Sequence, residues 1–236
     1  MIDKKTNIVN RRLWKASGFV ATILVCGWMS LTIAQDRKID INGLVQETQK
    51  MSDNSDEMTL IWWIPEEFWQ ASFDQDPSVT ATQAEEFIKV LRPYLLIVVA
   101  DGKVGNFGGI TYKSETTIRN NIQIIDNQGT NYRPLAEDNV NADTKNFLSM
   151  MKPVFVNMLG PMGQNMHFFL FPAKNKTGQN IASAMKVGDF SVKLDEREFK
   201  WRLPLGSLLP PKVCPVDGEK MNGAWKFCPW HGVELK

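Results

Sequence analysis

The sequence predicts an α+β fold, an antiparallel sheet with a few short helices packed on one side, with a β-sandwich as the alternative. Three observations point there. Phe190, Val192 and Leu194 alternate with Ser191 and Lys193; after Asp195-Glu-Arg-Glu198, Phe199, Trp201 and Leu203 alternate with Lys200 and Arg202. A period of two on both sides of a short polar break is an antiparallel hairpin with one dry and one wet face. Strand-like runs outnumber helical ones, and short turns join neighbouring strands. The helical runs are brief and open on capping residues.

In chain order, residues 1–34 hold a basic start (Lys4, Lys5, Arg11, Arg12 and Lys15) followed by nineteen uncharged residues, Ala16 to Ala34. This is the layout of a signal peptide, and equally of an uncleaved membrane anchor. Either places the rest of the chain outside the cytoplasm, in the periplasm or held to the inner membrane, because the flanking positive charges stay inside. The pair Arg11-Arg12 is not by itself a twin-arginine signal, and Cys26 follows Val25, which does not suit a lipoprotein site.

Residues 35–57 are rich in Asp, Asn, Gln and Lys and are expected to be a polar linker. A globular α+β domain is expected over 58–209. Met58 to Ile64 has strand composition and enough apolar residues to be buried on both faces. Pro65-Glu66-Glu67 reads as a helix start, with acids at the positive end of the dipole. Trp62, Trp63, Phe68 and Trp69 are expected in the core. Thr82-Gln-Ala-Glu85 has the form of a capping box, and Pro93 ends the helix it opens. Tyr94 to Val99 is a strand, Asp101-Gly102 a turn, and the glycines at 102, 105, 108 and 109 fit a hairpin with bulges over Val104 to Tyr112. No Gly-Lys-Ser/Thr follows these glycines, so they are not a phosphate loop.

Ile118, Ile122 and Ile124 lead to a turn at Asp126-Asn-Gln-Gly129, and Tyr132 to Leu135 returns as a strand. Asn141 or Asp143 caps a helix carrying Phe147, Leu148 and Met151, which Pro153 is expected to break. Val154 to Leu159, stopped by Gly160-Pro161, is a second helix or a strand. Phe168 to Phe171 is a buried strand. Beyond the alternating hairpin, Leu203 to Pro211 leaves the sheet in an extended form.

The formal charge of +1 hides an asymmetry: residues 1–34 hold five of the 27 Lys and Arg and one of the 26 Asp and Glu, leaving 22 basic against 25 acidic. A chain without basic surplus is not built to neutralise phosphates, so no nucleic-acid partner is expected. Hydrolase motifs are missing as well, with neither His-Glu-x-x-His nor Gly-x-Ser-x-Gly present.

The remaining chemistry lies in the tail, 210–236. There Cys214-Pro-Val-Asp217-Gly and Cys228-Pro-Trp-His231-Gly repeat one pattern, with ten residues between Asp217 and Cys228. From Cys214 to Gly232 this resembles the knuckle hairpin of zinc ribbons, in which Cys-Pro-x-Cys-Gly turns set ligands on one metal. The resemblance implies Cys214 and Cys228 as thiolates and His231 as a ligand, with Asp217 where the ribbon has Cys or His. A Cys214–Cys228 disulfide is the competing reading for an exported chain. Magnitude favours metal: a bridge closing so short a loop contributes roughly 3 kcal/mol, a structural zinc site roughly 10–16 kcal/mol.

A second constellation, Met158, Met162 and Met166 beside His167, has donors that suit copper(I). Gly160, Pro161 and Gly163 interrupt any helix that would align them, and core packing is the competing reading. The expectation is therefore an exported, non-enzymatic envelope protein that binds a protein partner and carries a structural zinc site in its tail. Membrane contact would come only through 16–34 if that run is uncleaved. The alternative is a metal-handling or metal-dependent protein with an open Cys/Cys/His zinc site or a Met/His copper site.

Overall fold

The structure, a computed structural model, describes residues 39–236. The leader and its apolar run lie outside the described residues. Among those described, no helix is long and apolar enough to cross a membrane.

The architecture is α+β in three layers. Strand β1 (Gln49–Met51), β2 (Glu57–Ile64), β3 (Tyr94–Val104), β4 (Ile110–Tyr112) and β7 (His167–Pro172) form one antiparallel sheet. The eleven residues of β3 lie at its centre, with β2 along one side; on the other, β7 pairs with Tyr94 to Val99 and β4 with Gly102 to Val104. A second antiparallel sheet has the order β6 (Asn131–Tyr132), β5 (Ile122–Asp126), β8 (Gly188–Leu194), β9 (Arg197–Leu203).

Strand periodicity sorts the apolar residues of β2 and β3 onto two faces. Ile61, Trp63, Leu95, Ile97 and Val99 face the second sheet, where they meet Ile122, Ile124, Phe190, Val192, Leu194, Trp201 and Leu203. Trp63 stands edge-on to Phe190 with centroids 4.9 Å apart, and Phe190 stacks on Trp201 at 5.0 Å. Leu60, Trp62, Ile64, Leu96, Val98 and Ala100 face the other way, under Trp69 of α2 (Glu66–Phe73), Ile88 and Leu91 of α3 (Ala81–Leu91), and Phe147, Leu148 and Phe155 of α5 (Ala142–Leu159). Met58 to Ile64 is therefore buried on both sides of its sheet, and the tryptophans are core. Each such side chain, taken fully out of water, contributes about 1.5–3 kcal/mol before ordering costs. Helices α2, α3 and α5 cover one face of the central sheet and the second sheet covers the other, so sandwich packing occurs inside an α+β fold.

Several local expectations change. Residues 41–51, expected to lie in a linker, fold as α1 (Ile41–Thr48) and β1. Ile41, Leu44 and Val45 do follow a helical period, but three apolar residues are a weak signal; what fixes α1 is tertiary. Leu44 and Thr48 are fully buried. The indole N–H of Trp62 donates to Thr48 Oγ1 at 3.1 Å and that of Trp201 to Thr48 O at 3.2 Å. Two buried tryptophans from different strands thereby find acceptors on one residue.

The helix start at α3 is displaced by two residues. Thr80, not Thr82, is the cap, and the capping box pairs it with Gln83. Pro153 does not break α5, which runs eighteen residues to Gly160. A proline inside a helix costs about 3 kcal/mol or more. Buried Phe147 and Leu148 before it and Phe155 after it offset that by docking one continuous helix on the sheet. Asp101-Gly102 is not a turn either but lies within β3, and the chain reverses beyond it at Gly105 to Gly108, where Gly108 has φ +79. Gly102 serves close packing instead, since a Cβ there would come within 2.9 Å of Ile110 in β4.

The alternating hairpin is present as β8 and β9, in register from Gly188↔Leu203 to Leu194↔Arg197. After it a short 3-10 turn, Gly206–Leu208, leads to the tail.

Candidate metal centre

The tail begins from an anchored root. Glu47, on α1, accepts the backbone N–H groups of Gly206 at 3.1 Å and Ser207 at 2.9 Å, the Ser207 hydroxyl at 2.6 Å and the Asn222 side-chain amide at 2.6 Å. Asn222 packs so closely on Gly206 that a Cβ at that glycine would fall 1.6 Å from Asn222 Oδ1. One carboxylate thus joins the start of the domain to both ends of the tail's first hairpin, β10 (Lys212–Val213) paired with β11 (Lys220–Met221).

Two turns with the same hydrogen bonds follow from the two copies of the sequence pattern. In the first, Cys214 N donates to Glu219 O at 2.9 Å and Gly218 N to Cys214 O at 2.8 Å; in the second, Cys228 N donates to Val233 O and Gly232 N to Cys228 O, both at 2.8 Å. The closing glycines have φ +77 and +64. That left-handed conformation is why glycine ends each copy: a side chain there meets its own carbonyl.

The two turns bring together three of the four expected ligands. Ligand atoms of Cys214, Cys228 and His231 all lie within 4.8 Å of one another. His231 Nδ1 is 3.4 Å from Cys214 Sγ and 3.5 Å from Cys228 Sγ. A tetrahedral zinc with its usual sulfur and nitrogen distances has a sulfur–nitrogen edge of about 3.5 Å, so the donor set fits such an ion in both type and spacing. Asp217 stands outside the trio but beside it, with Oδ2 3.6 Å from His231 Nδ1. Its position in the first turn matches that of His231 in the second.

Both sulfurs are buried, together with Met221 and Leu235. Burial pushes the Cys214 thiol pKa up, joined by Asp217 and Cys228 and opposed by the N–H groups of Val216 and Asp217. Burial acts on Cys228 the same way, but the N–H groups of His231 and Trp230, the His231 ring and Cys214 outweigh it and hold this thiol below its ordinary range. Asp217 is held low by the Glu219 N–H, then by Cys214 and His231. Each turn thus directs backbone N–H groups toward its own sulfur, which favours a thiolate; at Cys228 they prevail, and at Cys214 burial outweighs them.

Cys214 and Cys228 are free thiols rather than a disulfide. Of the methionine constellation, Met166 is wholly buried in the helix-facing core and Met158 is 69% exposed. His167 begins β7, 3.8 Å from a Glu115 carboxylate oxygen.

A second polar site was not legible in the sequence. Asp101, only 1% exposed, receives two hydrogen bonds from the Arg197 guanidinium at 3.0 and 2.9 Å, one from Thr59 at 2.6 Å and an ion pair from Lys113 at 2.8 Å. Arg197 also reaches Glu57 at 3.0 Å, and Lys113 reaches Asp195 at 2.9 Å. The cluster fastens β2 and β3 of one sheet to the β8–β9 turn of the other. Its one sequence cue is the charged break Asp195-Glu-Arg-Glu198, which does not say what Arg197 meets.

Comparison with known family models, curated proteins and solved structures finds no match.

Proposed function

We propose that this chain is an exported envelope protein whose α+β domain binds a protein partner, and whose C-terminal tail is a clasp closed by a structural zinc ion. The observation that carries the metal part is the pair of identically bonded turns that gather two sulfurs and an imidazole nitrogen, with both sulfur–nitrogen distances matching the edge of a zinc tetrahedron. Zinc held there would cross-link the two turns of a tail whose own buried apolar residues are few. Burial of both sulfurs favours a closed structural site over a reactive one.

The export part rests on the basic leader and apolar run at the N-terminus, and the partner part on a near-neutral remainder together with exposed aromatic residues on the tail. Trp230, at the tip of the second turn, is 72% exposed, and Phe227 and Trp225 beside it are also exposed. Exposed aromatic clusters of this kind are favoured in protein interfaces.

Asp217 decides between this reading and a metal-handling one. As a fourth ligand it closes the site; without it the set is Cys, Cys, His and an open position, which catalytic or exchangeable zinc uses. Metal analysis of the purified full-length chain tests the clasp directly. One zinc per chain, lost in Cys228→Ala, is the expected result, and a metal-free chain with an intact tail would overturn it. Zinc that survives in Asp217→Ala but exchanges readily with a chelator would favour the open site. Protease accessibility of the domain in intact cells and spheroplasts tests export, with digestion expected only once the outer envelope is opened.

A further inference from the structure

Besides the tail, the fold builds a cleft of about 550 Å³ on the helix-covered side of the central sheet. Its floor is apolar, from Leu135, Val140, Leu148 and Phe168. One end is charged. There α4 (Glu115–Asn121), α5 and the start of β7 converge, and the cleft takes in Arg119, Lys145, Lys152 and His167 against Glu115 and Glu137.

Most of these charges are already engaged. Arg119 pairs with Glu115 at 2.8 Å, donates to Leu135 O at 3.1 Å and lies over the Phe169 ring. Glu115 also faces His167. Lys145 meets only a backbone carbonyl, Glu137 O at 3.4 Å, but it is exposed and solvated. Lys152 differs. Its ammonium donates to the carbonyl of Met166 and lies 5.9 Å from the Phe168 ring centroid, and among the described residues it forms no ion pair. Burial pulls its pKa down, with only Glu115 opposing. A half-buried cation without a counter-ion carries an uncompensated desolvation cost, and a ligand anion would relieve it.

We propose that this cleft binds a small organic monocarboxylate with an apolar body, its carboxylate on Lys152 and its body against Leu148, Val140 and Phe168. The volume lies in the range of small-molecule sites, roughly 300–1,000 Å³, and the lining combines an apolar floor with charged groups. Among the described residues Lys152 is the one half-buried ammonium of the cleft without an ion pair, and one such charge matches one negative charge. A phosphate would call for several free buried cations or a nest of backbone N–H groups, whereas Arg119 is paired and Lys145 is exposed.

Calorimetric titration of the full-length chain with octanoate tests the proposal, with 1-octanol and inorganic phosphate as comparison ligands in the same detergent. Octanoate should saturate one site, octanol should bind at least tenfold more weakly, and phosphate should not bind. Lys152→Met keeps the length of the side chain and removes its charge, and should weaken octanoate at least tenfold while leaving octanol unchanged. Ser149→Trp, at the exposed rim of the cleft, should weaken both ligands, so the proposal stays open to refutation even if Lys152→Met fails to fold. Octanoate that finds no saturable site, that binds Lys152→Met or Ser149→Trp as well as the parent chain, or that is displaced by phosphate would overturn the assignment.

Discussion

Two regions hold this protein together through polar groups, and they do so on opposite principles. The tail gathers Cys214, Cys228 and His231 from eighteen consecutive residues, by means of two turns that each form on their own hydrogen bonds. The Asp101 cluster draws Thr59 and Arg197 from distant parts of the chain onto Asp101 and Lys113, and only the last two are set side by side locally, by the β3–β4 hairpin. In the tail the geometry is a product of local turns. In the cluster the geometry is a product of two sheets having already packed. The difference predicts that the tail fails by losing a ligand, and the cluster by stranding a charge.

The largest effect should come from the tail. Cys228→Ala should abolish zinc binding and release the tail, read as loss of hydrogen-exchange protection confined to residues 212–236, while the sheets keep theirs. If the whole domain unfolds with it, the clasp supports more than its own hairpin and the contrast between the regions fails.

Next is Arg197→Met. It leaves Asp101 buried with Lys113 and Thr59 as its remaining partners, and breaking a buried pair in this way costs about 3–5 kcal/mol. Denaturant unfolding should show the loss, near the low end because Lys113 stays. Asp101→Asn together with Arg197→Met should recover part of it, since the stranded charge is then gone.

The same cluster sets an acid limit. Burial raises the Asp101 pKa, but hydrogen bonds from Arg197, Lys113 and Thr59 outweigh it and hold the group below the ordinary carboxylate range. A carboxylate with a depressed folded pKa contributes stability that is present above its unfolded value, about 3.9, and lost as pH falls through the folded one. Stability measured from pH 5 downward should therefore fall less steeply in Asp101→Asn than in the parent chain. Arg197 and Lys113 are shifted upward, so their contribution is lost only at pH above their folded values, far outside this window.

Smaller still, Gly218→Ala and Gly232→Ala each force a side chain into a left-handed conformation, at about 1–2 kcal/mol each. Because the two turns are alike, the two losses in tail stability should match within error; a twofold disparity would show that the turns are not equivalent. The smallest effect is Trp230→Ala. An exposed side chain outside the core should change stability by no more than about 0.5 kcal/mol, so any larger consequence for partner capture would report on binding rather than folding.

How much of this was legible in the sequence follows the same division. Short-range patterns were readable: the β8–β9 hairpin from its alternation, β7 from an apolar run, and the two turns from Cys-Pro and a closing glycine. Misreadings fell where a distant partner overrules a local signal. Asp101-Gly102 has turn composition, yet Arg197 neutralises the aspartate and β4 requires the glycine. Pro153 is a helix breaker that docking overrides. Residues 41–48 look like linker until Trp62, Trp201 and the root of the tail are seen to bond to them. Lys152 could have been noticed, since it lies four residues after Leu148 on the sheet-facing side of α5, where a charge is out of place.

The sequence by itself determined the α+β class, the strands whose apolar period faces a core, and four candidate ligands in the tail, Cys214, Asp217, Cys228 and His231, because each depends on residues within a few turns of one another; the structure gathers three of the four. Tertiary structure alone decided that the central sheet is covered by helices on one face and a second sheet on the other, that Asp101 is buried and paired, and that a cleft opens beside an unpaired lysine. Those depend on which distant surfaces meet. Apolar burial drives that meeting without direction, so a local pattern can say that a face will be covered but not by what.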